Sequence, residues 1–231
     1  MTALSELNVV LCALDELPAD SSVLDAREKR RAERLHSELD RRRFVAAHTA
    51  LRRELGERLE TDPATLVFSR EPCSQCGGPH GRPVVVRPGG SLARRAGLHF
   101  SLSHSGGQGL LAIAATPVGV DIEALPDASM CQQLTALLHP REQACILSAP
   151  EEAQRTLFTR LWCRKEAYLK GLGVGFDHDS TEGYLSSLER TPGWHVTNIE
   201  APEGFAGAVA TAAPTPWSGR RVFGHSGLGK S

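Results

Sequence analysis

The feature that most constrains this chain is an acidic strand end at residues 119–123, where an apolar run finishes in Gly-Val-Asp-Ile-Glu. Successive side chains of a strand point to opposite faces, so Asp121 and Glu123 are expected to project from the same face. Such a pair either faces solvent, as acidic pairs at strand ends often do, or binds a shared partner. The pair alone does not separate these two interpretations.

A second constraint lies in residues 162–170, a segment with a helical pattern. Trp162, Glu166 and Lys170 follow one another every four residues, which places them in one stripe along a helix. Glu166 and Lys170 could form an ordinary surface ion pair. That interpretation leaves the position of Trp162 and the flanking Lys165 unexplained.

The two segments together indicate a type of chemistry. Asp121, Glu123 and Glu166 offer carboxylate oxygens, and Lys165 and Lys170 offer positive charge. Carboxylates beside lysines suit a hard divalent cation and the phosphates that it binds. If the fold brings strand and helix together, the pattern predicts phosphoryl-type chemistry.

Residues 99–107, His-Phe-Ser-Leu-Ser-His-Ser-Gly-Gly, form a third polar segment. We expect a strand that ends at Leu102 and leads into a glycine-rich turn carrying Ser103 and His104. Hydroxyls, backbone N–H groups and an imidazole can all donate to a phosphate oxygen. The alternative is a hydrogen-bonded turn with an exposed histidine.

A loop rich in cysteine, glycine and proline carries Cys73, Cys76 and His80. Their spacing is that of a zinc knuckle without its fourth ligand. The continuation through residues 78–83 is rigid and exposes its backbone, so the loop could equally line a ligand pocket.

Composition narrows the class of protein. The net charge of −1 gives no overall field that would recruit nucleic acid or a membrane. No apolar stretch is long enough to span a bilayer, and no basic region precedes the first apolar run, so we expect no signal peptide. The six cysteines lack the density of a secreted disulfide scaffold. We therefore expect a cytoplasmic protein.

The charge is uneven along the chain. Residues 27–58 hold eleven Lys/Arg against six Asp/Glu. This basic segment could meet a phosphate or an acidic partner, or it could be a pair of solvated helix faces.

Hydrophobic patterning predicts strands, helices, strands, helices and strands in that order. Apolar spacing in residues 44–55 predicts an amphipathic helix within a helical region that breaks near Asp40. Pro140 and Pro150 mark breaks in a later helical region. The order suits an α+β chain of two similar halves, residues 1–116 and 117–231.

Two further motifs are not expected to carry function. Residues 224–231 satisfy the P-loop pattern, but a P-loop requires a helix after it, and the sequence stops at Ser231. Cys163 lies off the helical stripe, on a helix that is expected to bury it, and is therefore not a convincing nucleophile.

The motifs together resemble the 4′-phosphopantetheinyl transferases, specifically the monomeric, double-domain Sfp-type class. That family shows a Gly-Lys-Pro loop, a Ser-His-Ser turn, a Gly-hydrophobe-Asp-x-Glu strand and a Trp-x-x-Lys-Glu-Ala-x-x-Lys helix in this order. The present chain carries the corresponding segments at residues 81–83, 103–105, 119–123 and 162–170. Arg82 stands in place of the usual lysine.

The resemblance implies a fold of two pseudo-twofold-related α+β halves with coenzyme A bound between them. It implies Mg²⁺-dependent transfer of the 4′-phosphopantetheine arm to a serine of an apo acyl or peptidyl carrier protein, with release of 3′,5′-ADP. Asp121, Glu123 and Glu166 would ligate Mg²⁺. Glu166 would also be the catalytic base, and Lys170 would stabilise the leaving group. The class further implies a monomer.

The resemblance also implies contacts to coenzyme A. Ser103 and His104 would hold the pyrophosphate, and Lys165 would assist at the phosphates. Arg52 would bind the 3′-phosphate, with residues 41–43 as a further source of arginine. The complete set implied to bind coenzyme A is Arg52, Arg82, Pro83, Ser103, His104, Lys165 and Lys170.

Two other functions fit parts of the sequence. A Mg²⁺-dependent nucleotide pyrophosphate hydrolase would use the same carboxylates and lysines without a carrier protein. A zinc-knuckle nucleic-acid-binding module would use the Cys/His loop, but the near-neutral charge and the lack of interleaved aromatic residues argue against it.

Overall fold

The computed structural model describes residues 7–86, 98–174, 193–212 and 217–222, the last range by its backbone alone. The P-loop-like segment 224–231 lies outside the described residues. The strands are β1 (Leu7–Ala13), β2 (Val67–Arg70), β3 (Pro83–Val86), β4 (His99–Ser105), β5 (Gln108–Ala114), β6 (Val118–Ala124), β7 (His195–Ile199), β8 (Phe205–Thr211) and β9 (Trp217–Val222). The helices are α1 (Ala26–Glu33), α2 (Glu38–Leu59), α3 (Ala128–Thr135), α4 (Pro140–Leu147) and α5 (Glu151–Leu172).

The strands form two main sheets with a shared arrangement. One sheet has the order β4-β5-β1-β9 and the other the order β6-β8-β7, while β2 and β3 form a separate pair. In each main sheet a first strand pairs antiparallel with the second strand of a hairpin, and a 22-residue helix (α2 or α5) lies between them in sequence. The prediction of an α+β fold is confirmed.

The division of the chain into residues 1–116 and 117–231 stays a prediction. Strand β9, which belongs to the second range, runs parallel to β1 in the first sheet. A single cut in the sequence therefore does not separate the two sheets.

Apolar residues of both sheets form one common core. The cluster takes members from β1, β5, β6 and β8, all at most 5% exposed: Leu7, Val9, Leu11, Leu110, Ala112, Ala114, Val118, Val120, Ile122 and Val209. The other face of the first sheet packs against α2, where Ala47, Leu51 and Leu55 are buried as their spacing predicts. The joined sheets fix β6 relative to β4.

Capping side chains define where the helices begin. The break in the first helical region falls at residues 34–37, before Asp40, because Ser37 accepts from the Asp40 N–H and starts α2. Pro140 occupies the first turn of α4, where a missing N–H costs nothing, and Pro150 precedes α5. Among the helices that the structure describes, none combines the length and apolar character needed to cross a bilayer.

Candidate active site

The close approach of strand β6 to helix α5 creates the site. A Cβ atom at Gly119 would overlap the Ala167 carbonyl oxygen and the Gly171 nitrogen of α5, so this position has no room for a side chain. The backbone contact places Asp121, two residues along the strand, beside Lys170 on the helix. The glycine that precedes the acidic pair therefore sets the distance between the two predicted segments.

The predicted strand and helix residues converge on one cleft of about 400 Å³. Asp121 and Glu123 line it from β6, and Trp162, Glu166 and Lys170 line it from α5. The full lining is Arg70, His80, Gly81, Arg82, Pro83, Ser101, Leu102, Asp121, Glu123, Trp162, Glu166, Leu169, Lys170, Gly173 and Val174. The helical stripe expected from the four-residue spacing therefore faces the cleft rather than solvent.

Asp121 is the most buried charged group of the cleft, with 1% exposure. Its Oδ1 accepts from Lys170 Nζ at 2.6 Å and from the Ser103 hydroxyl at 2.8 Å. Lys170 Nζ also lies 3.1 Å from Ser103 Oγ. Within the described part of the chain, Asp121 Oδ2 makes no hydrogen bond although it is buried. A buried carboxylate oxygen of this kind normally has a partner, so it marks a place for a cation.

The other two carboxylates hold their protons more tightly than usual. Burial, reinforced by the charge of Asp121, raises the pKa of Glu166 to about 7. Burial and the same neighbour raise the pKa of Glu123. Lys170 opposes both shifts but does not balance three acidic groups. The carboxylates therefore repel one another, and a divalent cation bound among them would relieve this repulsion.

Strand β4 changes the expectation for Ser103 and His104. The strand continues to Ser105 instead of ending at Leu102, so neighbouring side chains point to opposite faces. Ser103 faces β6 and donates to Asp121, whereas His104 lies edge-on to Phe44 of α2 at 6.0 Å between ring centroids. The sequence had suggested that both residues donate into one turn. In the structure they lie on opposite faces of β4 instead.

His104 lies in a basic patch. His104 is exposed to solvent, but neighbouring groups crowd its ring. This desolvation, together with the positive charge of His48, Arg31 and Lys170, lowers its pKa to about 4. Phe44 holds the patch together, because it stacks on His48 at 4.1 Å and lies beneath the Arg31 guanidinium at 5.7 Å. A neutral, exposed imidazole remains a hydrogen-bond donor there.

Arg52 does not fit its expected role at a 3′-phosphate. Its side chain is fully buried, and its donors bind Glu28, Asp25 and the carbonyl oxygens of Pro63 and Leu66. The guanidinium therefore ties α1 to the end of α2 and the turn after it. This expectation is corrected: the residue is a buried structural cation, because the start of α1 supplies its counter-charges.

The arginines of residues 41–43 also bind the protein itself. Arg43 makes two hydrogen bonds to the Asp15 carboxylate at 2.8 and 2.7 Å. Arg42 donates to the carbonyl oxygens of Leu14, Asp15 and Leu17. Both arginines therefore hold the segment after β1 against α2.

Lys165 also departs from the expectation. Its Nζ lies 2.6 Å from Glu142 Oε2, and the two side chains are 5% and 0% exposed. Glu142 meanwhile accepts from the His139 backbone N–H in the capping box of α4. Lys165 therefore joins α5 to α4 and does not line the cleft, so a phosphate role for it is corrected.

Arg82 and Pro83 border the cleft as expected. The Arg82 guanidinium donates to Glu71 at 2.9 Å and to the Gly171 carbonyl oxygen at 3.2 Å. These contacts use part of its five donors and fix the loop to the end of α5. A second guanidinium nitrogen also lies 2.8 Å from the Glu71 carboxylate.

Sequence reasoning missed Arg70, which lines the cleft from the end of β2. Arg70 pairs in register with Pro83 and donates to the Gly81 carbonyl oxygen at 2.8 Å. Pairing the two predicted strands around the Cys/Gly/Pro loop would have placed this cation beside Arg82.

Cys163 is buried at 0% exposure and donates to the Ala206 carbonyl oxygen at 3.2 Å. Burial raises the pKa of its thiol, with a further contribution from Asp121. The thiol is therefore inert, as predicted.

Comparison with known proteins gives a consistent result. A profile described as the 4′-phosphopantetheinyl transferase superfamily matches residues 117–219. The 4′-phosphopantetheinyl transferase HetI of Nostoc sp. is 31% identical over 200 residues, which cover 83% of this chain and 80% of that protein. The 4′-phosphopantetheinyl transferase psf-1 of Bacillus pumilus is 30% identical over 154 residues, which cover 65% of this chain and 59% of that protein.

A more distant relative is similar over a comparable share of the chain. The 4′-phosphopantetheinyl transferase Sfp of Bacillus subtilis is 20% identical over 203 residues, 84% of each chain. The matched range of the family profile contains both the acidic strand and the helix that line the cleft. Similarity and cleft geometry lead to one conclusion: the chain belongs to the 4′-phosphopantetheinyl transferase superfamily and is an enzyme of that class.

Proposed function

We propose that this enzyme transfers the 4′-phosphopantetheine arm of coenzyme A to a serine of an apo acyl or peptidyl carrier protein and releases 3′,5′-ADP. The observation that carries the proposal is the cleft in which Asp121, Glu123, Glu166 and Lys170 meet. Superfamily membership supports coenzyme A and a carrier protein as substrates. A pyrophosphate hydrolase, the alternative for the same residues, gains no support from these relatives.

The donor set of the cleft fits Mg²⁺. Asp121 Oδ2 is buried and has no hydrogen bond within the described residues, and burial together with the charge of Asp121 raises the pKa of both Glu123 and Glu166. Three carboxylates without sulfur or imidazole suit a hard ion that prefers oxygen. We propose that these three residues hold Mg²⁺, which when bound would neutralise the charge of the coenzyme A pyrophosphate.

Positively charged side chains of the cleft are proposed to orient the pyrophosphate. Lys170 contacts Asp121 and Ser103 and lines the cleft. Arg82 and Arg70 line the same cleft from the strands that flank the Cys/Gly/Pro loop. Charge developing on the departing phosphate would meet Lys170 without any rearrangement, which is how fixed cations lower a barrier.

Glu166 is the proposed general base. Its pKa of about 7 lies near neutral pH, where a substantial fraction of the carboxylate is ionised and can accept a proton. The carrier serine oxygen forms a bond to the phosphorus that bears pantetheine, and its proton passes to Glu166. The bond from that phosphorus to the bridging oxygen breaks, and 3′,5′-ADP leaves with the electron pair.

The basic patch of Arg31, His48 and His104 is the proposed contact for a further phosphate of coenzyme A. His104 supplies a neutral hydrogen-bond donor and Arg31 a positive charge. The Phe44 ring contacts the rings of His48 and His104 and lies beneath the Arg31 guanidinium. The patch takes over the role that the sequence assigned to the buried Arg52.

Helices α3 and α4 are the proposed contact for the carrier protein. Met130 on α3, Leu137 between the two helices and Leu147 on α4 are 52%, 52% and 63% exposed. The same helices pack against Trp162, which lines the cleft. An apolar surface beside the cleft would bring the carrier serine to Glu166. The basic segment 27–58 is the rival surface for an acidic carrier.

That the enzyme acts as a cytoplasmic monomer, without nucleic-acid or membrane partners, stays a prediction.

The decisive experiment incubates the full chain with coenzyme A, Mg²⁺ and an apo carrier protein and weighs the carrier by intact mass spectrometry. A gain of one phosphopantetheine group, abolished by chelation of Mg²⁺, is the expected result. Cleavage of coenzyme A without a gain on fatty-acid, polyketide and nonribosomal-peptide carriers would overturn the proposal in favour of hydrolysis.

A further inference from the structure

The loop between β2 and β3 brings two thiols and an imidazole together at the edge of the cleft. The ligand atoms of Cys73, Cys76 and His80 all lie within 4.8 Å of one another. Cys76 Sγ is 3.0 Å from His80 Nε2. In a tetrahedral zinc site, with Zn–S near 2.3 Å and Zn–N near 2.0 Å, neighbouring ligand atoms lie roughly 3.5–3.8 Å apart. Small side-chain rotations would therefore suffice to enclose a metal ion.

The backbone of the loop is already folded as a knuckle around these side chains. The Cys73 N–H donates to the Gly78 carbonyl oxygen at 2.7 Å, and the Gly77 N–H donates to the Cys73 carbonyl oxygen at 2.9 Å. The Gly78 N–H donates to Cys76 Sγ at 3.4 Å. The three ligands thus come from one short, internally bonded turn, and need no large motion.

Both glycines of the loop are required by this geometry. Gly77 has φ +71°, a conformation that other residues rarely adopt. A Cβ at Gly78 would approach the ring of His80 at 3.0 Å and Cys76 Sγ at 3.2 Å. The sequence Cys-x-x-Cys-Gly-Gly therefore keeps the space between the thiols and the imidazole free of side-chain atoms.

We propose that Cys73, Cys76 and His80 bind one Zn²⁺ ion, with water or another donor in the fourth position. Thiolate and imidazole form a soft donor set that selects zinc, unlike the all-oxygen carboxylates elsewhere in the cleft. A disulfide between the two cysteines is the main alternative. It would leave the imidazole, 3.0 Å from Cys76 Sγ, without a role.

The proposed zinc ion has a consequence for the cleft. The loop is attached to the end of α5, where Ser74 Oγ donates to the Leu172 carbonyl oxygen and Arg82 donates to the Gly171 carbonyl oxygen. His80 and Arg82 both line the cleft. Zinc would therefore make the loop rigid and hold Arg82 in position. Loss of the zinc ion should weaken coenzyme A binding without removing the Mg²⁺ site.

The test measures bound metal directly. The full chain is purified in the presence of Zn²⁺, dialysed, and analysed by native mass spectrometry and elemental analysis. One zinc per chain is expected for the wild type and for Cys145→Ser, which alters an exposed cysteine of α4. Cys76→Ser should lose the metal, and His80→Gln should weaken zinc affinity at least tenfold.

Several outcomes would overturn the proposal. These are substoichiometric zinc in the wild type, full zinc retention in Cys76→Ser, or a wild-type mass two hydrogens short, which indicates a disulfide. If Cys76→Ser fails to fold by circular dichroism, the wild type loaded with Co²⁺ decides instead, since thiolate ligation gives an intense near-ultraviolet charge-transfer band. These readouts do not depend on carrier modification, so they stand apart from the proposed function.

Discussion

Lys170 and Asp121 form an ion pair where α5 meets β6, with 2.6 Å between Nζ and Oδ1. The aspartate side chain is 2% exposed, whereas the lysine side chain is 33% exposed. The carboxylate is thus buried, the ammonium group is partly exposed, and both residues line the cleft. This ion pair therefore joins β6 to α5 and also fixes the positive charge of Lys170 at the cleft.

Replacing Lys170 by alanine should slow transfer at saturating substrates by about 10²–10³-fold, the usual loss when one fixed donor to a developing charge is removed. The change also leaves Asp121 a buried charge without its cation, so the melting temperature should fall. Carrier loading followed by intact mass measures the rate. Arg160→Ala, an exposed cation on the same helix, is the control and should be neutral. A rate within threefold of wild type would remove Lys170 from the chemistry.

Glu166 should make the metal-free enzyme less stable as the pH rises from about 4.5 to 7, whereas His104, with its pKa lowered from 6.5 to about 4, acts in the opposite direction at the lower end of this window. The pKa of Glu166 is about 7 in the folded state and 4.5 ordinarily, so the folded state binds more protons in that window. Stability rises with pH only where the unfolded state binds more protons, so here it falls, by up to roughly 3 kcal/mol from this group.

Glu166→Gln should remove this pH dependence and abolish transfer, because the amide neither titrates nor accepts the serine proton. Urea unfolding in chelator across this pH range measures the first effect. Glu151→Gln, in the exposed first turn of α5, should keep the wild-type slope. An unchanged slope in Glu166→Gln would assign the pH dependence to another group.

Mg²⁺ should stabilise the wild type more at pH 8 than at pH 5.5. The pKa of Glu166, about 7, keeps this group mostly protonated at the lower pH, and the raised pKa of Glu123 acts in the same direction, so protons compete with the cation there. Glu123→Gln should weaken Mg²⁺ binding at least tenfold, measured by the thermal shift against Mg²⁺ concentration. An equal shift at both pH values would place the metal away from these carboxylates.

Spacing in the sequence was sufficient to predict the cleft. Asp121 and Glu123 share a strand face, and Glu166 and Lys170 share a helix stripe, because both periods follow from backbone geometry alone. Gly119 explains why β6 and α5 lie close enough for these residues to meet, since only glycine allows the strand to contact the helix backbone. Short-range periodicity and one steric constraint therefore defined this part of the site.

The roles of the remaining residues depended on long-range packing. Arg52 is neutralised by Glu28 of α1, and Lys165 by Glu142 of α4. The local sequence around each cation does not predict its partner. His104 was misplaced for a local reason, because β4 runs past Leu102 and alternation then points the ring towards α2. A cation in the sequence can meet a phosphate only if the fold leaves it at the cleft, as it does Lys170 and Arg82 although both have internal counter-charges.

Lys165→Met should destabilise the protein by about 3–5 kcal/mol, because it leaves Glu142 as a buried charge without its cation. Adding Glu142→Gln should recover part of this loss, since no buried charge then remains and the amide still caps α4. Chemical denaturation of both variants measures the difference. Coenzyme A affinity of the folded protein should stay within threefold of wild type. A tenfold weaker affinity with normal stability would restore a phosphate role for Lys165.

Leu147→Asp should raise the KM for the carrier protein about tenfold and leave the KM for coenzyme A unchanged. Leu147 is 63% exposed on α4, so the change costs little stability and places a negative charge on the proposed contact for an acidic carrier. Leu39→Asp provides the matched comparison, because Leu39 is 48% exposed at the start of α2, within the rival basic segment. A rise in carrier KM for Leu39→Asp alone would move the docking surface to the N-terminal helices. A rise for Leu147→Asp alone would place the carrier beside Trp162 and the proposed base.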